Sequence, residues 1–143
     1  MGRILAIDYG VKRTGLAVTD PLRIVPGGLS TVPTAQLLTF LSEYIASEKV
    51  DLIVVGHPTQ MNAEESQTMQ KIRPLVTQIE KKFSDIKVVL YDERFTSKLA
   101  QRAILESGMG KMKRRNKALV DEVSAVIILQ SYMDSLEYQQ LNQ

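Results

Sequence analysis

The chain has 143 residues, 44% of them hydrophobic and 24% charged, with a formal net charge of +2 and no cysteine. That length holds one domain with a real core, and the balance is ordinary for a globular protein. The composition excludes disulfides and thiolate metal sites, and no apolar run approaches the roughly 20 residues of a membrane span.

The first residues already read as a strand and lack the three regions of a signal peptide, so a cytoplasmic protein is expected. Arg3 to Tyr9 contains Ile4, Leu5, Ala6 and Ile7 in succession. An unbroken apolar run predicts a strand covered on both faces. Asp8 stands at its end, where a carboxylate is costly unless its charge is compensated. Gly10 follows and permits a tight turn. Thr14 to Thr19 is a second strand, so the pair predicts a hairpin with Lys12 and Arg13 near its tip. Pro21, Pro26, Gly27 and Gly28 mark loops, and Leu29 to Val32 is a short edge strand. Thr34 is the expected N-cap of a helix over 35–48, whose Leu37, Leu38, Leu41, Tyr44 and Ile45 recur at helical spacing.

Asp51 to Gly56 is the next buried strand, expected to run parallel to the first because a helix precedes it. His57 to Glu65 is a polar loop in which Asn62 and Glu65 resemble a capping box. Met69, Ile72, Val76, Ile79 and Phe83 predict a helix from about 64 to 83, kinked or interrupted at Pro74. Ile86 to Tyr91 is a strand that ends in Asp92-Glu93-Arg94. Thr96 caps a helix through Ser107, with Gly108 as its stop. A loop from 109 to 116 follows, and a last helix spans about 118–136 with an apolar middle, Ala125 to Leu129. One domain over 1–138 with a frayed tail, 139–143, is expected.

A hairpin followed by strand–helix units implies an α/β fold with a mixed sheet and helices on its faces. Sites in such sheets form at strand ends, near the point where the strand order reverses. Asp8, Gly56-His57 and Asp92-Glu93 all fall at predicted strand ends. Asp121 reads as a first-turn acid of the last helix, on one face with Ser124, Ala125 and Ile128. Alternation puts Asp92 and Glu93 on opposite faces of their strand, so at most one readily faces Asp8. Each acid alone has a plainer role, as a turn residue, a surface ion pair or a helix cap.

Gathered together, carboxylates repel unless a cation joins them. Without cysteine and with a single histidine, oxygen donors favour Mg²⁺ or Mn²⁺ over zinc. Two such ions about 3.5–4 Å apart can stabilise the attacking and leaving oxygens of phosphodiester hydrolysis. Lys111, Lys113, Arg114, Arg115 and Lys117 place five cations within seven residues. Such a run is a solvated loop or a footprint for phosphate backbones.

These residues carry a family resemblance. The run from Asp8 to Asp20 resembles the N-terminal signature of the YqgF family, small bacterial ribonuclease H-like proteins related to Holliday junction resolvases of the RuvC type. The resemblance continues at Val55-Gly56-His57-Pro58, at Asp92 to Ser97, at Lys117 to Asp121 and at Ile127 to Gln130. It implies a ribonuclease H-like fold, a five-stranded mixed sheet flanked by helices, with a metal-dependent nuclease centre. The family's acids fall on Asp8, Glu93 and Asp121, which would hold Mg²⁺ or Mn²⁺.

The implied activity is cleavage of structured RNA at the 5′ end of pre-16S rRNA, in free RNA or in ribosomal precursor particles. Resolution of DNA junctions and a non-catalytic nucleic-acid-binding factor are the alternatives. Lys12, Arg13, Arg94 and the basic cluster would hold the backbone, in a monomer or a homodimer. His57 stands where the family usually has Leu, and Asn62-Ala63 replaces Asp-Gly. An actin-like ATPase also opens with Asp-x-Gly, but it needs two such domains around its nucleotide.

Overall fold

The computed structural model describes residues 2–57, 63–92 and 117–135, the side chains of 63–68, 92 and 117–121 excepted. Five strands form one sheet: β1 Arg3–Asp8, β2 Arg13–Thr19, β3 Pro26–Pro33, β4 Val50–His57 and β5 Lys87–Asp92. Their order is β3-β2-β1-β4-β5. β2 is antiparallel to β1 and to β3, whereas β4 is parallel to β1 and to β5. The mixed α/β sheet expected from the sequence is therefore present. A 3₁₀ turn at Thr34–Gln36 leads into α1, Leu37–Ser47; α2 spans Ala63–Lys82 and α3 Lys117–Met133.

Alternation along β1 distributes the core. Leu5 and Ile7 face α1 and α2, where they meet Leu37, Leu41, Ile72, Leu75 and Ile79. Ile4 and Ala6 face α3 and its Ala125, Ile128, Leu129 and Tyr132. All four β1 residues are fully buried, because helices cover both faces of the strand. Ala125 and Ile128 lie in the α3 core as the face assignment requires, and Leu129 beside them is buried too. Val126 is only partly buried, so the middle of the helix is not buried all round.

Four local expectations are corrected. Pro26, Gly27 and Gly28 are strand residues, not loop, paired with Thr19, Val18 and Ala17. Proline is tolerated there because it is the first residue of an edge strand. α2 continues through Pro74 as one element. The residue before the 3₁₀ turn is Pro33, which offers no side-chain cap, so Thr34 is not an N-cap. Asp121 is not in the first turn of its helix, because α3 begins at Lys117. The segment 93–116, with the expected Thr96–Ser107 helix and the basic loop, lies outside the described residues, as do the Asn62 cap and the tail from 136.

The end of the sheet at which β1 begins is fastened by side chains. Buried Thr19 Oγ1 accepts the Ile4 amide at 3.0 Å, and Arg3 donates to the Thr19 carbonyl at 2.9 Å. Asp51 accepts the Gly2 amide at 2.7 Å and Arg23 Nη2 at 3.0 Å. Asp20 closes the loop into β3, accepting the amides of Ile24 at 2.7 Å, Val25 at 2.8 Å and Leu22 at 3.2 Å. These donors, the Val25 amide foremost, hold its carboxyl below the usual value of 3.8 against a smaller opposing effect of desolvation.

Candidate functional site

The opposite end of the sheet gathers the strand ends singled out in the sequence. β1, β4 and β5 all finish there, at Asp8, His57 and Asp92. From β1 the chain moves outward through β2 to β3 on one side and then through β4 to β5 on the other, so the strand order reverses beside β1. This is the topological position at which α/β sheets open a crevice for ligands.

Asp8 is half-buried and sits on the α3 face, two residues on from Ile4 and Ala6 in alternation. Its register partners are Gly15 on β2 and Gly56 on β4. Laterally paired residues project from the same face, so two side chains would normally flank this carboxylate. Here neither flank carries one. The row across the sheet reads Thr31, Gly15, Asp8, Gly56, Tyr91. The next row on that face is also made of small residues at its centre, Ala17 and Ala6.

α3 crosses this face obliquely. Near its start, a side chain at Gly28 of β3 would come within 3.3 Å of Glu122 Oε1. Near its end, Ser131 Oγ lies 2.7 Å from the Tyr91 hydroxyl on β5, and Tyr132 meets the Tyr91 ring edge-on at 5.8 Å. Asp121 belongs to this helix four positions before buried Ala125, the spacing of one helical face. Its side chain is outside the described part. Asp92 is the last residue of β5 and pairs in register with half-buried His57; the Asp92 side chain is likewise not described.

The β1–β2 turn adds cations. Lys12 is exposed and Arg13, the first residue of β2, is half-buried. Gly10 is required in this turn, since a Cβ there would collide with the Arg13 carbonyl oxygen. Lys117 opens α3, with its side chain undescribed. Glu93, Arg94, Lys111, Lys113, Arg114 and Arg115 lie outside the described residues.

Asp8 fits a divalent cation by the chemistry of its donor. A hard oxygen donor, half-buried and flanked by two glycines, suits Mg²⁺ or Mn²⁺. Among the described residues no three of His, Cys, Asp and Glu gather in one place.

Sequence reasoning placed Gly56 at a strand end and Thr34 at a helix cap without giving either a part in the site, and it singled out Gly15 only as part of a motif. A glycine inside a strand signals close approach of something to the backbone, and Gly15 and Gly56 carry that signal.

Comparison with known proteins shows the family and the fold. The family model described as RuvX, Holliday junction resolvase, matches residues 2–135. A Porphyromonas gingivalis protein named "Putative pre-16S rRNA nuclease" is 64% identical over 135 residues, covering 94% of this chain and 98% of that one. A Flavobacterium johnsoniae protein of the same name is 49% identical over 138 residues, covering 96% and 100%. Thermus thermophilus RuvC, solved with a Holliday junction substrate, has the same fold with a TM-score of 0.57 at 14% identity, covering 94% of this chain and 97% of that one. The chain belongs to the RuvX family, also called YqgF, and has a RuvC-like, ribonuclease H-like fold.

Proposed function

We infer that this protein is a metal-dependent endonuclease that hydrolyses phosphodiester bonds in structured RNA and processes the 5′ end of pre-16S rRNA. The observation that carries the reading is Asp8 between Gly15 and Gly56 at the strand-order reversal. That arrangement puts no side chain on either flank of a carboxylate, which suits close approach of a cation and a phosphate. The names of relatives that match nearly the whole chain support the RNA substrate.

Asp8, Glu93 and Asp121 hold Mg²⁺ or Mn²⁺ in this reading. The bound metal supplies activated water and neutralises charge on the scissile phosphate. Lys12, Arg13, Arg94, Lys111, Lys113, Arg114, Arg115 and Lys117 hold the phosphate backbone, mostly without reading sequence. The reaction belongs to the cytoplasm, on free precursor RNA or on ribosomal precursor particles, in a monomer or a homodimer.

A second reading is a DNA junction resolvase with the same chemistry. It is favoured by the family's description and by the RuvC neighbour, which was solved with a Holliday junction. It requires a homodimer with paired sites. A 5′-extended small-subunit rRNA fragment and a four-way DNA junction, each incubated with Mg²⁺ or EDTA, separate the two. Metal-dependent cleavage of the RNA that Asp8→Asn abolishes is the expected result. Cleavage of the junction alone would transfer the activity to DNA. Binding of the RNA without any cleavage would leave a non-catalytic factor.

A further inference from the structure

The turn that leaves Asp8 is held by a residue far along the chain. Thr34 donates its amide to the Lys12 carbonyl at 3.0 Å. Its hydroxyl lies 2.6 Å from the Gly10 carbonyl oxygen and 2.9 Å from Thr14 Oγ1. A hydroxyl has one hydrogen, and a carbonyl can only accept. Thr34 therefore donates to Gly10, and fully buried Thr14 donates to Thr34. The resulting chain runs Thr14 to Thr34 to Gly10. It pins the backbone on both sides of exposed Val11, at a Gly10 where any Cβ would collide with the Arg13 carbonyl oxygen.

We propose that Thr34 is a positioning residue for nucleic-acid binding: through Gly10 and Lys12 it fixes the β1–β2 turn so that the Lys12 ammonium meets a substrate phosphate beside Asp8. The proposal rests on the nucleic-acid reading above. Lysine is a point charge on a flexible stem, so its contribution depends on where the backbone presents it. A turn free to open would leave Lys12 charged but misplaced. Thr34 touches no substrate in this scheme and acts only through the turn.

The test measures equilibrium binding, by fluorescence anisotropy, of a labelled 5′-extended rRNA fragment and of a four-way DNA junction. The full chain is compared with Thr34→Val, Thr34→Ser, Lys12→Ala and the Lys12→Ala/Thr34→Val double variant. Thr34→Val keeps the shape and loses the hydroxyl. It should weaken binding about three- to tenfold, the scale of one displaced phosphate contact, with a shallower salt dependence. Thr34→Ser should restore binding to within about twofold, because it restores the hydroxyl. In the Lys12→Ala background, Thr34→Val should have almost no further effect, since the two act through one contact.

Where Thr34→Val fails to fold, Thr14→Val/Thr34→Val replaces it. That pair removes both hydroxyls and leaves no buried donor without a partner. Equal binding by parent and valine variant would overturn the proposal, as would the same loss in both Lys12 backgrounds. A parent that binds neither probe would remove the nucleic-acid reading and this proposal together. A parent that binds while Thr34→Val is indifferent would remove this proposal alone.

Discussion

Replacing Asp8 with Asn tests the position as a metal ligand with little change of volume. Asn has nearly the same shape, and the flanking Gly15 and Gly56 carry no side chains to be disturbed. Packing is therefore preserved, and the change is one of charge and ligand strength. A ligand bound only by the folded state adds RT ln(1 + [L]/Kd), about 2.7 kcal/mol at a hundredfold excess over Kd. For 143 residues the unfolding entropy is about 0.3 kcal/mol per kelvin, from the usual per-residue average. Saturating Mg²⁺ should thus raise the parent's Tm by about 9 °C relative to EDTA.

Asp8→Asn should respond by no more than about a third of that, because a neutral amide is a poor ligand for Mg²⁺. In EDTA it should melt at or above the parent's temperature, since one charge of an acidic cluster is gone. Thermal denaturation followed by circular dichroism, in EDTA and across a Mg²⁺ titration, reads both effects without reference to cleavage. Equal Mg²⁺ shifts in the two proteins would refute Asp8 as a metal ligand. A fall in the variant's stability in EDTA would refute the crowding of carboxylates.

Three further outcomes test other parts of the scheme. Gly15→Ala and Gly56→Ala each put a methyl beside the Asp8 carboxylate; cleavage of the rRNA fragment should drop at least about tenfold while Tm moves by less than about 3 °C, since Gly to Ala in a strand is worth under roughly 1 kcal/mol. Ile128 is 2% exposed in the α3 core, so Ile128→Ala should cost about 3 kcal/mol in urea unfolding and lower Tm by about 10 °C. Asp20 has a lowered folded pKa, so its contribution is present above its unfolded value of 3.8 and is lost as pH falls through the folded value. The stability difference between parent and Asp20→Asn should therefore be constant from pH 5 to 7 and shrink below about pH 4, as urea midpoints will show.

The parts of the fold that were legible in the sequence are those fixed by local patterns. The unbroken run Ile4 to Ile7 declared a strand with both faces covered, and Asp51 to Gly56 did the same for β4. Asp8 drew notice because it ends such a run. β3 was only half legible. Pro26-Gly27-Gly28 has turn chemistry by composition and becomes strand through pairing with β2, with a register shift where Leu16 gives way to Ala17. That pairing is tertiary and leaves no local trace. Thr34 followed Pro33 and preceded a helical pattern, which fits a cap equally well; its real partners, Gly10 and Thr14, are 24 and 20 positions away. The placement of Asp121 missed because helix ends are the least determined part of a periodic pattern, and one residue at the start moves an acid out of the first turn.

The two ends of the sheet divide the work. At the end where β1 begins, Gly2, Arg3, Thr19, Arg23 and Asp51 are joined by hydrogen bonds of 2.7 to 3.0 Å that tie the β2–β3 loop to β1 and β4. Arg23 holds a left-handed backbone, φ 58°, a conformation that disfavours a non-glycine residue by about 1–2 kcal/mol. Its guanidinium offsets this by bonding the Gly2 carbonyl at 2.8 Å and Asp51 at 3.0 Å. At the other end the sheet does the reverse. It sets glycines on both sides of a carboxylate and holds the adjoining turn through Thr34. The Thr34 hydroxyl bonds the turn at Gly10, whereas in this scheme the Mg²⁺ response comes from Asp8. Loss of the Thr34 hydroxyl should therefore spare the Mg²⁺-induced rise in Tm while weakening nucleic-acid binding. Thr34→Val that lost the Mg²⁺ response along with the binding would show that the turn and Asp8 are a single mechanical unit.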